Sequence, residues 1–206
     1  MSPSLRALVS SLFVAVVYAQ QIGTNTPEVN PRLFWEECTL PGLCHKVNGS
    51  VTLDANWRWT HNVGGYTNCR NGNTWDPTIC PDATTCAQNC AVEGVDYSSS
   101  GIATSGNAVT LTLNTVTNSG PRIYLLAEDQ KTYQMFKLNQ HEFAFDVDLS
   151  QVACGMNAAL YFSEMDAHGG NAPTNKAGAK FGTGYCDAQC PSGDNFFNGQ
   201  VSFYYA

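Results

Sequence analysis

The chain has 206 residues and a formal net charge of −7, and only 13% of its residues are charged. An acidic chain of low charge density is a poor partner for nucleic acid or for an anionic membrane. Asn, Thr, Ser and Gly are plentiful instead, and such a surface suits a neutral polar ligand. The 43% hydrophobic content excludes wholesale disorder, and the length indicates one domain.

The first residues predict a secretory signal peptide over 1–19. Arg6 precedes an apolar run over 7–17, and small and polar residues follow that run. The run is short for a transmembrane helix, which needs about 20 apolar residues, and no later run approaches that length. We therefore expect a mature domain over 20–206 that is secreted, extracellular, monomeric and without a membrane partner.

Nine cysteines in a secreted chain predict a disulfide framework, and the odd count leaves at least one without an intramolecular partner. Zinc is the alternative, because Cys86 and Cys90, like Cys186 and Cys190, have C-x₃-C spacing. An oxidising compartment and the lack of matching histidines favour disulfides. We expect no metal and no other cofactor.

The first third of the chain reads as a surface lead-in followed by a strand. Residues 20–31 are polar with two prolines, and Cys38 and Cys44 then bracket a tight turn, an arrangement in which close cysteines usually pair. The stretch 49–61 alternates like a strand. Just before it, Asn48 begins an Asn-Gly-Ser sequon, so we predict an exposed turn glycosylated at Asn48.

The remaining elements predict an all-β chain. Residues 67–90 are rich in turn formers and cysteines and read as a stapled loop, with a short helical turn within 83–94. Strand patterns follow at 101–116, 121–138 and 141–150, the last with Phe143, Phe145 and Val147 on one face. No amphipathic helix of three turns is present, so a sandwich or jelly roll is favoured.

Aromatic and amide side chains suggest that the ligand is a neutral sugar. The stretch 154–200 is a strand pattern followed by a glycine-rich segment with Tyr, Asp, Gln and Asn, which are groups that loops present to polar ligands. Trp57 and Trp59 share a face in a strand reading and could stack on pyranose rings. The alternative is that either tryptophan belongs to the core.

Several strings resemble glycoside hydrolase family 7, the secreted fungal cellobiohydrolases and endoglucanases that cut β-1,4-glucan. They are DANWRWTH, GNTWDPTICPDATTCAQNC, AFDVDLS, CGMNAALYF and NKAGAKFGTGYCDAQCP. The resemblance runs from residue 20 to about 200, and the tail 201–206 diverges. It implies a concanavalin-like β-jelly-roll sandwich with cellulose along its concave face. It also implies a retaining mechanism through two glutamates roughly 5 Å apart.

The catalytic motif of that family, Glu-x-Asp-x-x-Glu, does not occur in this sequence. The nearest match is Glu164-Met165-Asp166, but Gly169 stands where the second glutamate is needed. We therefore expect no catalytic residue, an incomplete jelly roll cut before the catalytic strand, and no cellulase activity of this chain alone. A non-catalytic cellulose- or glucan-binding protein is the alternative. Exo and endo action both stay open.

The resemblance also implies residue roles. It pairs Cys38 with Cys44, Cys69 with Cys90 and Cys80 with Cys86, and it places the partners of Cys154, Cys186 and Cys190 beyond this chain. Trp59 resembles the tryptophan that stacks on sugar near the tunnel entrance. The positions that resemble other glucan contacts are Arg122, Asn157, Tyr161, Tyr185, Asp187 and Gln189.

Overall fold

The computed structural model describes residues 20–72, 74–113, 120–170, 175–186, 190, 196–197 and 200–201. The predicted signal peptide lies outside these residues. The twelve strands are β1 Gln21–Ile22, β2 Arg32–Leu40, β3 Leu43–Leu53, β4 Thr60–Asn62, β5 Arg70–Asn71, β6 Thr74–Trp75, β7 Cys90–Val92, β8 Ile102–Ser105, β9 Ala108–Leu111, β10 Ile123–Leu126, β11 Phe196–Phe197 and β12 Gln200–Val201. One α-helix, α1, covers Ala83–Asn89, and 3₁₀-helices cover Ala55–Trp57 and Ala179–Phe181.

The longest sheet has the antiparallel strand order β10-β3-β2. Strands β2 and β3 form a hairpin whose turn contains Gly42 at φ 79°, a left-handed conformation that glycine adopts without a steric penalty. The far end of β3 pairs with β10, with Leu53 opposite Ile123. Val51 and Leu53 are buried there and pack with Tyr97 and Ile102 in a core cluster. The sheet thus places the residues that follow β3 beside the start of β10.

The stapled loop packs against a second sheet with the order β1-β7-β4. Helix α1 begins at its N-cap Asp82, whose side chain accepts a hydrogen bond from the backbone N–H of Thr85. Cys69, Cys80, Cys86 and Cys90 all lie in a buried cluster with Trp75, Ala87 and Val92. In this part of the chain, disulfides and apolar side chains together form the core.

Three of the disulfides join the pairs that the resemblance implied, Cys38–Cys44, Cys69–Cys90 and Cys80–Cys86. The expectation of three unpaired cysteines needs correction. Cys186 and Cys190 are bonded to each other. Cys154 is free and exposed.

The zinc alternative has a structural counterpart in three sulfur atoms, those of Cys69, Cys80 and Cys90, which lie within 4.8 Å of one another. Each of these sulfurs is already part of a disulfide. Because zinc is bound by thiolate sulfur, this group cannot act as a ligand set while it is oxidised.

Several strand predictions were wrong in whole or in part. The pattern at 101–116 is divided into β8 and β9, only Ile123–Leu126 is a strand within 121–138, and the strand pattern that begins 154–200 forms no strand over 154–162. The stretch 49–61 is not one strand, because a 3₁₀-helix over Ala55–Trp57 separates β3 from β4. The stretch 141–150 alternates as a strand should, yet it is assigned to no strand and is exposed throughout. Alternation specifies which side chains share a face, but a strand also requires a hydrogen-bonded neighbour, and none pairs with this stretch among the described residues. No helix in the described ranges is long and apolar enough to cross a membrane.

Candidate functional site

The carboxylate of Asp54, directly after β3, holds two side chains of β10 and its flank. Its Oδ2 atom accepts hydrogen bonds from Arg122 Nε at 2.8 Å and from the Tyr124 hydroxyl, and it lies 2.8 Å from Arg122 Nη2. Its Oδ1 atom accepts from the backbone N–H of Asn56 at 2.6 Å. Asp54 is buried, whereas the Arg122 side chain is 22% exposed, so the pair presents the cation to the surface.

Aromatic rings surround this guanidinium. Its Cζ atom lies 3.6 Å from the centroid of the Tyr185 ring and 5.1 Å from that of Trp57. Tyr185 stacks on Tyr124 at 5.8 Å, and its hydroxyl lies 3.2 Å from that of Tyr161. Tyr161 is 53% exposed. Tyr185 itself is buried, so Arg122 and Tyr161 are the groups that this cluster exposes, and we call the cluster the arginine–tyrosine shelf.

Electrostatics keep the shelf in one charge state. Burial alone lowers the pKa of the Arg122 guanidinium, but the neighbouring Asp54 carboxylate outweighs burial and raises the pKa above its usual value. Burial raises the pKa of Tyr124, and the Asp54 charge raises it further. Arg122 therefore stays charged and Tyr124 stays neutral throughout the ordinary pH range.

A second aromatic surface is centred on Trp59, which is 38% exposed. Its indole Nε1–H donates to Asn68 Oδ1 at 2.6 Å. Its ring stacks on His61 with centroids 4.1 Å apart, and Tyr66 stacks at 6.2 Å. Beneath it, the buried His61 lies 2.7 Å from the carboxylate of Glu93. We call Trp59, His61 and Tyr66 the tryptophan platform.

The sequence-predicted residues therefore divide into three groups. Arg122, Tyr161 and Tyr185 come together in the arginine–tyrosine shelf, and Trp59 lies on the tryptophan platform. Asn157 is exposed and has no side-chain hydrogen bond to either surface in the described part of the chain. Asp187 and Gln189 lie outside the described residues.

Trp57 and Trp59, grouped on one face by the sequence pattern, differ in the structure. Trp57 is part of the 3₁₀-helix and packs against the core cluster of Val51 and Leu53, so it has the core role that was the alternative. Trp59 keeps an exposed ring face. The 3₁₀-helix between β3 and β4 breaks the strand pattern, so the two side chains do not share a face.

Two members of the shelf were missed by sequence reasoning, Asp54 and Tyr124. Asp54 begins the string DANWRWTH and Tyr124 lies in the strand pattern at 121–138, and a lone Asp at the end of an apolar strand was the available signal. Asp166, which belongs to the nearest match to the catalytic motif, has a local role, because its Oδ1 atom accepts a hydrogen bond from the backbone N–H of His168 at 2.8 Å. Asp166 thus caps a turn.

The profile of glycosyl hydrolase family 7 matches residues 22–205. The chain belongs to glycosyl hydrolase family 7. Solved structures of the family resemble it closely. A cellobiohydrolase from Daphnia pulex is 49% identical with a TM-score of 0.84, and the match covers 88% of this chain and 42% of that one.

Two further family-7 structures are similar. A cellobiohydrolase from Melanocarpus albomyces, complexed with cellotetraose, is 46% identical with a TM-score of 0.80, and 88% of this chain covers 43% of that one. The Humicola insolens endocellulase EGI is 39% identical with a TM-score of 0.80, and 88% of this chain covers 47% of that one.

These relatives confirm the β-jelly-roll fold class that the sequence predicted. This chain spans under half the length of each of these structures. Among the described residues the strands form two three-stranded and three two-stranded sheets, none of which is closed. The similar structures include both cellobiohydrolases and an endocellulase, so they do not separate exo from endo action.

Proposed function

We propose that this chain is the glucan-binding part of a secreted family-7 β-1,4-glucanase, with cellulose as its ligand. The observation that carries the proposal is the arginine–tyrosine shelf, in which Arg122 lies on the Tyr185 ring at 3.6 Å and is anchored by the buried Asp54. A charged guanidinium and neutral phenol hydroxyls donate hydrogen bonds to sugar hydroxyls, and aromatic faces pack on the apolar faces of pyranose rings.

The tryptophan platform supports the same ligand. The Trp59 ring is fixed at its nitrogen by Asn68 and from below by His61, and part of the ring stays exposed. A pre-ordered aromatic ring loses little conformational freedom when a sugar stacks on it. Asn157, Asp187 and Gln189 are proposed as further sugar contacts on the resemblance alone.

We further propose that the chain does not cleave glucan by itself. Retaining hydrolysis needs two carboxyl groups about 5 Å apart, one nucleophile and one acid/base. The sequence contains no Glu-x-Asp-x-x-Glu. Of the buried carboxylates on the described part, Asp54 and Glu28 are occupied by arginines, and Glu93 is occupied by His61. A non-catalytic glucan-binding protein is the second candidate, and the same two facts favour it.

Secretion, a monomeric state and glycosylation of Asn48 belong to the proposal as well. The disulfides suit an extracellular protein. Asn48 is exposed, but it lies within β3 rather than in a turn, and its amide nitrogen donates to Glu128 at 3.1 Å. Peptide mass mapping after glycosidase treatment of secreted protein tests this site.

Retention on microcrystalline cellulose and calorimetry with cello-oligosaccharides test the binding. We expect the chain to bind, and we expect Arg122→Gln and Trp59→Ala each to weaken the affinity about tenfold, or 1.4 kcal/mol. Lys46→Gln is the control, since it also removes one cation but lies on the β2–β3 hairpin over Phe34.

Cellobiose release is measured on the same samples. Folded protein that is not retained on cellulose overturns the binding proposal. Release of cellobiose by the pure chain overturns the proposed lack of cleavage and leaves the binding proposal intact.

A further inference from the structure

Both ring nitrogens of His61 face hydrogen-bond acceptors. Nδ1 lies 3.0 Å from the backbone carbonyl oxygen of Asn62, and Nε2 lies 2.7 Å from Glu93 Oε2. A carbonyl oxygen has no proton to donate, so Nδ1 must carry the hydrogen of that contact. A neutral imidazole has one N–H and would then need a proton from Glu93 at Nε2.

Glu93 is ionised and therefore has no proton to donate to His61. Its Oε1 atom accepts from the backbone N–H of Thr26 at 2.9 Å and from that of Gly94 at 3.2 Å. Burial alone raises the pKa of Glu93, but the hydrogen bonds from Thr26 and His61 outweigh burial and hold the pKa below its usual value. Glu93 is therefore a carboxylate, and its Oε2 atom accepts from His61.

Only an imidazolium ring donates from both nitrogens at once. We propose that Glu93 holds His61 in its doubly protonated form and that this cation positions the Trp59 ring for glucan stacking. The Trp59 and His61 rings are 4.1 Å apart with a 30° angle between their planes, which is within cation–π range. His61 is only 3% exposed, so it acts through Trp59 as a positioning residue. The binding role rests on the function proposed above.

The other groups around His61 do not offset its charge. Directly after β7, Glu93 is the charged residue, and it is 1% exposed. From the loop after β4, Asn68 and Tyr66 contact Trp59 and carry no charge. Arg58, which donates to the backbone carbonyl oxygen of Glu93 at 3.3 Å, forms a buried ion pair with Glu28 at 2.7 Å. The imidazolium is thus balanced by Glu93 alone among the described residues.

The first experiment needs no ligand. Nitrogen-15 NMR of the wild-type protein at about pH 7, where an ordinary exposed histidine is mostly neutral, reports the proton on each ring nitrogen. We expect both nitrogens of His61 to be protonated. His61→Gln assigns the signals. One unprotonated nitrogen in the wild-type His61 ring overturns the proposal.

The second experiment measures binding. Glu93→Gln keeps the histidine ring under Trp59 but removes the carboxylate, so His61 should become neutral and cello-oligosaccharide affinity should fall about three- to tenfold. His61→Gln should lower the affinity to a similar extent.

The outcomes separate the two proposals. If Trp59→Ala binds cello-oligosaccharide as tightly as the wild type, the binding role proposed for Trp59 fails, whatever the NMR shows. If Trp59→Ala weakens binding while Glu93→Gln and His61→Gln do not, glucan stacking stands and the positioning role of His61 is overturned.

Discussion

Asp54 shows how one buried side chain can organise a surface. It is buried itself, yet it fixes Arg122 and the Tyr124 hydroxyl, and through Arg122 it fixes the face that packs on Tyr185. A carboxylate removed from water is stable only when its partners replace the lost hydration. Here four donor atoms do so, from Arg122, Tyr124 and the backbone of Asn56.

Replacing Asp54 by Ala should therefore lower the free energy of unfolding by about 3 kcal/mol, because Arg122 and Tyr124 lose their acceptor in a partly buried site. Urea unfolding under oxidising conditions measures the loss. Asp146→Ala is the matched control, since Asp146 is exposed, and its effect should be within about 0.5 kcal/mol. Equal effects of the two substitutions would mean that the Asp54 cluster contributes no stability.

At the residue scale, sequence could identify the ligand-facing candidates but not their support. Arg122, Tyr161 and Tyr185 were predicted from a resemblance, and the structure brings them together. Asp54 was missed, because its role depends on a strand 68 residues away along the chain. The charge state of His61 depends in the same way on Glu93, 32 residues later.

At the scale of elements, the loop between β4 and β7 depends on its disulfides. Cys69 and Cys90 are separated by 21 residues and are both fully buried. In the chain-entropy account, closing a loop of this length stabilises the folded state by about 3 kcal/mol. The bond also fixes β7, whose neighbour β4 follows the exposed Trp59.

Replacing both Cys69 and Cys90 by Ala should lower the unfolding free energy by about 3 kcal/mol or more, since packing in the buried cluster is lost together with the cross-link. The Cys38–Cys44 disulfide closes a loop of only 6 residues at an exposed hairpin end. Replacing both of these cysteines by Ala should therefore lower the unfolding free energy by only about 2 kcal/mol. Non-reducing denaturation curves compare them. A larger loss at the hairpin would contradict this ranking.

Gly182 follows the second 3₁₀-helix and packs against the backbone at the end of β3. It has φ 72°, and a Cβ atom there would lie 2.0 Å from the carbonyl oxygen of Leu53. Gly182→Ala should therefore cost about 3 kcal/mol or more, because neither backbone can move without breaking the pairing near Asp54. Gly42→Ala is the control, with φ 79° and open space around it, and should cost about 1 kcal/mol. Thermal unfolding of the two variants should show this difference in Tm.

Sequence patterns predicted local elements well and pairing poorly. The helical turn at α1 was predicted from residues close together in the chain and is confirmed, whereas the single strand pattern at 101–116 forms the β8–β9 hairpin, which was not predicted. The strand predicted at 141–150 is absent, although its alternation is strict. The pattern specifies two faces, whereas strand formation depends on a neighbouring chain segment that the pattern does not contain.

For the whole molecule, this unpaired stretch leaves an exposed apolar surface. Phe143, Phe145 and Val147 are exposed together, and Phe143 contacts Phe162 with ring centroids 5.1 Å apart. Leu160 and Met156 are exposed nearby in sequence. Contiguous apolar surface of this kind promotes association.

We expect the purified chain, although monomeric when dilute, to bind a hydrophobic dye and to aggregate as its concentration rises. Phe145→Lys combined with Val147→Lys should reduce both effects, because each replaces an exposed apolar side chain by a charge. Val109→Lys, on the exposed face of β9, should change them little. Light scattering and dye fluorescence measure the outcome, and no change in the double variant would show that this surface does not drive association.

The junction formed by Asp54 and Ala55, directly after β3, is hydrogen-bonded to the two segments that carry the proposed sugar contacts. The backbone N–H of Asp54 donates to the Arg122 carbonyl oxygen at 3.0 Å, and that of Ala55 donates to Gly182 at 3.0 Å. The amides of this junction are therefore held by the same two segments that carry Arg122 and Tyr185. A sugar bound to those side chains favours the closed junction by mass action. Slower hydrogen exchange of the Asp54 and Ala55 amides would then report that a sugar occupies the arginine–tyrosine shelf, without any label on the glucan.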